Sequence, residues 1–168
     1  MTPMLYKIDL RPEIRNRNIF VSEIYNQTEK KTKPKIHTLI DTGAANTMLD
    51  INLAKQYGNK LNITEPIVIA GYTAIATGYV MPKIVLDGKM TIQRIFVWGF
   101  PFENNWLDGF LILGLNTLNN WRYLIDKSDN SFSIEENFPH DLLYKHNPYY
   151  NRFSKGNYVA FQDDLQNT

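Results

Sequence analysis

The stretch Leu39-Ile40-Asp41-Thr42-Gly43-Ala44 decides how this chain is read. An apolar run leads into an aspartate, and small residues and a glycine follow it. That pattern ends a strand in a tight turn. The Asp41 carboxylate then stands at the mouth of the turn, and Gly43 lets backbone approach it closely. Alone, the pattern is also that of an ordinary Asp-x-Gly turn. The surrounding sequence selects between the two readings.

Working outward, the flanking segments are β-rich. Residues 5–10, 18–25 and 36–40 read as strands, with the polar run 26–35 as a solvated hairpin loop. Residues 52–57 read as one or two helical turns stopped by Gly58. Runs of Val, Ile, Tyr and Thr at 66–70, 74–82, 83–86 and 90–98 read as further strands. Asp87-Gly88 between two of them signals a two-residue hairpin. Residues 110–113, Phe-Leu-Ile-Leu, form a short, wholly apolar and therefore buried strand. Residues 117–121 read as a short helix, and 123–126 with 131–134 as a last hairpin. Many short strands with turn signals predict an all-β barrel or sandwich.

The chain has 168 residues, 43% of them hydrophobic, which suits a single domain. It has no cysteine, which excludes disulfides, thiolate zinc sites and cysteine nucleophiles. A net charge of +1 gives no electrostatic reason to expect nucleic acid or an anionic membrane as partner. No apolar run approaches the ~20 residues a bilayer needs, and no signal peptide is evident. The expectation is a cytoplasmic protein. His37, His140 and His146 show no metal-ligand spacing, so no metal and no cofactor are expected. G-x-S-x-G and the phosphate-binding G-x-x-x-x-G-K-[ST] loop are absent. The 11–17 cluster, Arg-Pro-Glu-Ile-Arg-Asn-Arg, reads as a solvated turn.

Asp41-Thr42-Gly43-Ala44, the glycine-flanked hairpin tip from Gly71 to Gly78, and Ile112-Leu113-Gly114 occur in one order. This order resembles the retropepsins, the aspartic proteases of retroviral type, and their bacterial and phage relatives. The resemblance spans roughly residues 5–134. It implies a closed β-barrel of the acid-protease fold with one or two short helices. It also implies roles. Asp41 matches the catalytic aspartate. Thr42 matches the residue whose hydroxyl bonds across a two-fold axis. Gly43 matches the close-packed glycine, and Ala44 fills the small-residue position beside substrate. Ile112, Leu113 and Gly114 match the strand that supports the catalytic loop. Gly71, Tyr72 and Thr73 fall in a flap over bound peptide. The loop 100–108 is longer and more aromatic than the family's substrate wall. Phe100, Phe102 and Trp106 there line apolar pockets if they face inward; otherwise they are core or dimer contacts.

Aspartic protease chemistry needs two carboxylates that share one proton. One deprotonates a water while the other donates to the scissile carbonyl. This chain has one Asp-[Ser/Thr]-Gly; Asp87-Gly88 and Asp108-Gly109 lack the hydroxyl residue and read as turns. The second carboxylate is then expected from another copy, in a C2 homodimer that cleaves a polypeptide clamped in extended form. The alternative is a catalytically silent fold of the same type that dimerises or binds peptide. A protease domain over 1–134 is followed by an aromatic-rich extension over 135–168, expected to pack on its own domain or on a partner.

Overall fold

The computed structural model describes residues 4–69 and 71–136. Its elements, in chain order, are β1 (Met4–Asp9), β2 (Ile19–Tyr25), β3 (Thr32–Ile40), β4 (Met48–Asp50), α1 (Ile51–Tyr57), β5 (Asn59–Ile69), β6 (Tyr72–Leu86), β7 (Met90–Phe100), β8 (Leu111–Leu113), α2 (Leu115–Leu118), β9 (Arg122–Asp126) and β10 (Ser131–Glu136). Strands hold 57% and helices 8% of these residues.

Two sheets result. β1, β10 and β9 form an antiparallel three-stranded sheet. The larger sheet runs β2-β3-β8-β4-β7-β6-β5, and β2 also pairs β6. That extra pairing closes β2, β3, β8, β4, β7 and β6 into a six-stranded barrel. Closure removes the free edges that an open sheet would expose. β6 makes it possible. It is 15 residues long, pairs β7 from Thr77 to Leu86, and divides its other edge between β5 and β2.

Local chemistry explains several boundaries. Asp87 and Gly88 both take positive φ, +52° and +65°, the conformation a two-residue hairpin between right-twisted strands requires. Asp50 caps α1, accepting from the Asn52 N–H at 2.9 Å. Gly58 ends that helix, its N–H reaching the Ala54 carbonyl. Other boundaries differ from the sequence reading. β3 begins at Thr32, so the polar loop is shorter than expected. The runs 74–82 and 83–86 are one strand through Pro82. β5 begins at Asn59, seven residues before the apolar run that announced it. β4 was not foreseen. β10 continues to Glu136, whose carboxylate accepts from the Trp121 indole N–H at 3.2 Å. The last strand therefore runs to 136 rather than 134, and the rest of the C-terminal extension lies outside the described residues.

The interior divides into two apolar clusters. One, with Ile8, Phe20, Met81, Ile92 and Phe132, joins the three-stranded sheet to the barrel. The other, with Ile19, Leu39, Met48, Phe96, Trp98 and Ile112, lies beneath the turn that carries Asp41. Alternation along β10 shows the division of faces: Phe132 and Ile134 are buried, while Ser133 and Glu135 are half-exposed. Among the described residues, no helix is long and apolar enough to cross a membrane.

Candidate functional site

β3 carries Asp41 to its position. β3 and β8 run parallel, pairing Thr38, Leu39 and Ile40 with Leu111, Ile112 and Leu113. The chain leaves β3 at Asp41, whose N–H donates to the Leu113 carbonyl at 3.0 Å. Ile112 and Leu113 are buried, at 2% and 0% exposure, so the turn stands on a packed strand. The Asp41 carboxylate accepts from the Gly43 N–H at 3.0 Å, an Asx-type turn. The Ala44 N–H closes the turn on the Asp41 carbonyl. Asp41 is half-buried, and Thr42 and Gly43 are exposed.

The turn is anchored from behind at Gly114. A β-carbon at 114 would overlap the Asn46 carbonyl oxygen and crowd the Ala44 carbonyl. Only glycine lets the two segments approach this closely. The next N–H groups, of Leu115 and Asn116, donate to the Ala44 and Ala45 carbonyls. Thr47 completes the anchor. Its hydroxyl accepts from the Gly114 N–H and also bonds the Thr117 hydroxyl. The residues that fix the loop over 41–47 thus come from one segment, the end of β8 and the start of α2.

The β5–β6 hairpin stands opposite this loop. Ile69 pairs with Tyr72, Val68 with Thr73, and Ile67 with Ala74. Gly71 at its tip takes φ +78°. Between hairpin and loop lies a groove of about 450 Å³. Gly43, Ala44, Asn46 and Met48 line one wall, and Pro66, Ile67 and Ile69 the other. Apolar residues outnumber polar ones in the lining, but with Asn46, Glu65 and exposed backbone the surface is about as polar as it is apolar. An extended peptide is the shape such a groove accommodates. A separate cavity of about 230 Å³, lined by Asn26, Glu29, Lys83 and Arg94 among others, includes none of the loop residues 41–46.

The structure therefore sets Gly43 and Ala44 of the Asp41 turn across the groove from residues 65–69 of the hairpin, whose tip continues through Gly71, Tyr72 and Thr73, and places Ile112, Leu113 and Gly114 behind the turn. Thr73 is exposed on its strand. Phe100 and Phe102 depart from the expectation. They are 0% and 2% exposed and pack on each other at 4.9 Å inside the second cluster. They are core residues here because β7 turns its last residues inward beneath the loop. Trp106 is half-buried and packs edge-on against Phe110 at 5.5 Å.

Three residues of the site carried no recognised signal in the sequence. Thr47 and Asn116 are buried polar partners, and partnership between distant positions has no local pattern. Asp50, 2% exposed, pins the loop over 101–110: one oxygen caps α1 and the other accepts from the Gly109 N–H at 2.9 Å. The exposed Asp108 carboxyl also hydrogen-bonds Asp50. That bond raises Asp108 above the ordinary carboxylate range, with burial and the Asp50 charge adding in the same direction.

Among the described residues, no group of three or more His, Asp or Glu side chains is placed to hold a metal ion. No protein-family model matches the chain, and no curated protein matches it.

Proposed function

We propose that this chain is an aspartic endopeptidase of retropepsin type, active as a C2 homodimer with Asp41 of each copy in one dyad. The observation that carries the reading is the position of the Asp41 turn, on a buried strand and beside a groove shared with a β-hairpin. Within one chain, the Asp41 carboxylate has the Gly43 N–H as its sole hydrogen-bond partner among the described residues. The chemistry needs a second carboxylate, and two-fold symmetry supplies it at the same turn of another copy. The exposed Thr42 suits a bond across that axis. Leu5 and Leu124, 76% and 62% exposed on the outward face of the β1–β10–β9 sheet, offer apolar surface for a second copy to bury.

In this reading the dyad holds one proton between its members. One carboxylate removes a proton from water, and the water oxygen attacks the scissile carbonyl carbon. The other gives its proton to the carbonyl oxygen. The hairpin edge holds the peptide backbone by strand-like hydrogen bonds, and Met48, Ile67 and Ile69 favour apolar side chains next to the cut.

The test is cleavage of a diverse peptide library by the wild type and by Asp41→Asn, from about pH 4 to pH 7. Asparagine keeps the acceptor for Gly43, so the variant should fold as the wild type does. Cleavage by the wild type, lost in the variant, is the expected result. A folded wild type that cleaves nothing, or a variant that still cleaves, would remove the peptidase assignment.

A further inference from the structure

The loop between β1 and β2 presents two arginines to one indole. The Arg15 guanidinium lies 4.5 Å from the Trp106 ring centroid and that of Arg17 lies 5.3 Å from it. The backbone bends to achieve this. Arg15 and Asn16 both take left-handed φ, +54° and +51°, which L-residues adopt at a cost. Hydrogen bonds from Ile14 to Arg11 and from Arg17 to Ile14 hold the bend. Both arginines are exposed, and neither has a carboxylate partner among the described residues, although Glu13 is in the same loop.

Two like charges brought to one ring repel each other. The ring attracts them, and among the described residues the guanidinium N–H donors of both have no hydrogen-bond acceptor. Such a pair is suited to a carboxylate, which a guanidinium grips through two parallel hydrogen bonds.

The location relates this pair to the groove. Trp106 and Ile14 pack on the same apolar cluster as Ala44, Met48, Ile67 and Ile69 of the groove walls. Trp106 contacts Phe110, and Phe110 contacts His37 at 5.4 Å. His37 precedes Asp41 by four residues of strand, about 13 Å, and the ring contacts from Trp106 to His37 add to that distance, so a peptide reaching both Asp41 and the arginines spans more than four extended residues.

We infer that Arg15 and Arg17, braced on Trp106, form a distal subsite for an acidic side chain of the peptide that occupies the groove. The inference rests on the peptide-cleft reading above, and it names a substrate class: peptides apolar at the centre and acidic some residues away. A nucleic acid is the less favoured occupant, because the basic patch is one short loop.

Binding to full-length Asp41→Asn protein tests this without requiring turnover. The probes are a fluorescent decapeptide library with a fixed Glu-Glu pair, the same library with Gln-Gln, and a single-stranded oligonucleotide of matched length. The Glu-Glu library should bind about tenfold more tightly than the Gln-Gln library, as expected for a charge-assisted pair. Arg15→Gln/Arg17→Gln should reduce that ratio to below twofold, while Arg11→Gln, an exposed arginine of the same loop without the indole contact, should preserve it. Equal binding of the two libraries, binding of neither, or tighter binding of the oligonucleotide would overturn the inference. If the wild type cleaves nothing but the acidic preference and its arginine dependence persist, the peptidase reading fails and the subsite stands.

Discussion

Thr47 and Asn116 lie 69 positions apart in sequence and meet inside the protein. The Thr47 N–H and hydroxyl both donate to the Asn116 side-chain oxygen, at 2.7 and 2.8 Å. Both residues are buried, at 0% and 3% exposure. The pair ties the segment leaving the Asp41 turn to the helix that follows β8. It acts together with the bonds of the Thr47 hydroxyl to Thr117 and Gly114 and with the backbone bonds from Leu115 and Asn116.

Asn116→Ala leaves the Thr47 N–H buried without its acceptor and opens space beside it. It should cost about 3 kcal/mol. Thr47→Val removes the hydroxyl shared with Asn116, Thr117 and the Gly114 N–H, and should cost about 2 kcal/mol. The double variant should lose less than the sum, because both substitutions break the same bonds. Urea unfolding of the four proteins measures this. Strict additivity would show that the two residues are energetically independent.

Gly114→Ala should be among the most damaging single substitutions in the chain. Its β-carbon overlaps backbone carbonyls of Asn46 and Ala44, which cannot rotate away as a side chain would. A loss of about 3 kcal/mol or more is expected, together with displacement of the groove wall. Gly71→Ala meets open space but keeps φ +78°, so about 1 kcal/mol is expected there. Thermal unfolding of both variants compares a close approach with a backbone preference. Equal losses would contradict the overlap at 114.

The Asp108 carboxyl is held protonated to higher pH by its hydrogen bond to Asp50. Its folded value is raised above its unfolded one. Its stabilising contribution is therefore complete below the ordinary carboxylate value of about 4, and is lost as pH rises through the folded value. Asp108→Asn supplies an N–H donor at every pH. Relative to wild type, the variant should gain stability between about pH 4 and pH 7. Urea midpoints at the two pH values check this. A difference that does not change with pH would exclude a proton shared by these carboxyls.

If each dyad takes one Asp41 from each copy, Asp41→Asn chains should poison wild-type chains. Adding an equal amount of variant to a fixed amount of wild type, with free exchange, should reduce cleavage to about half, since half of the wild-type chains then sit in mixed dimers. Cleavage that is indifferent to added variant would mean that one chain holds a complete site.

Several features were legible because their causes are local. The Asp87-Gly88 turn follows from two residues able to take positive φ between strands. Gly58 ends α1 as expected. The Asp41 turn was visible because an aspartate, a glycine and an apolar strand are adjacent in sequence. β4 was not legible: Met48–Asp50 is three residues long and is extended because β7 and β8 pair with it on either side. The first half of β5 is polar and is drawn into the sheet by β6. Phe100 and Phe102 show the same limit for the site. Their composition suited a pocket wall as well as a core, and only the path of β7 settled which.

The sequence by itself determined that this chain is β-rich, where its sharpest turns fall, and that one aspartate stands at the end of an apolar strand. Those properties follow from backbone preferences and side-chain patterns over a few residues. The tertiary structure alone decided that β2 meets β6 to close a barrel, that a hairpin stands over the Asp41 loop, and that Arg15 and Arg17 lean on Trp106. Each of these joins residues far apart in the chain. Such contacts depend on which packing buries the most apolar surface while pairing most buried polar groups, a property of the whole molecule rather than of any window of sequence.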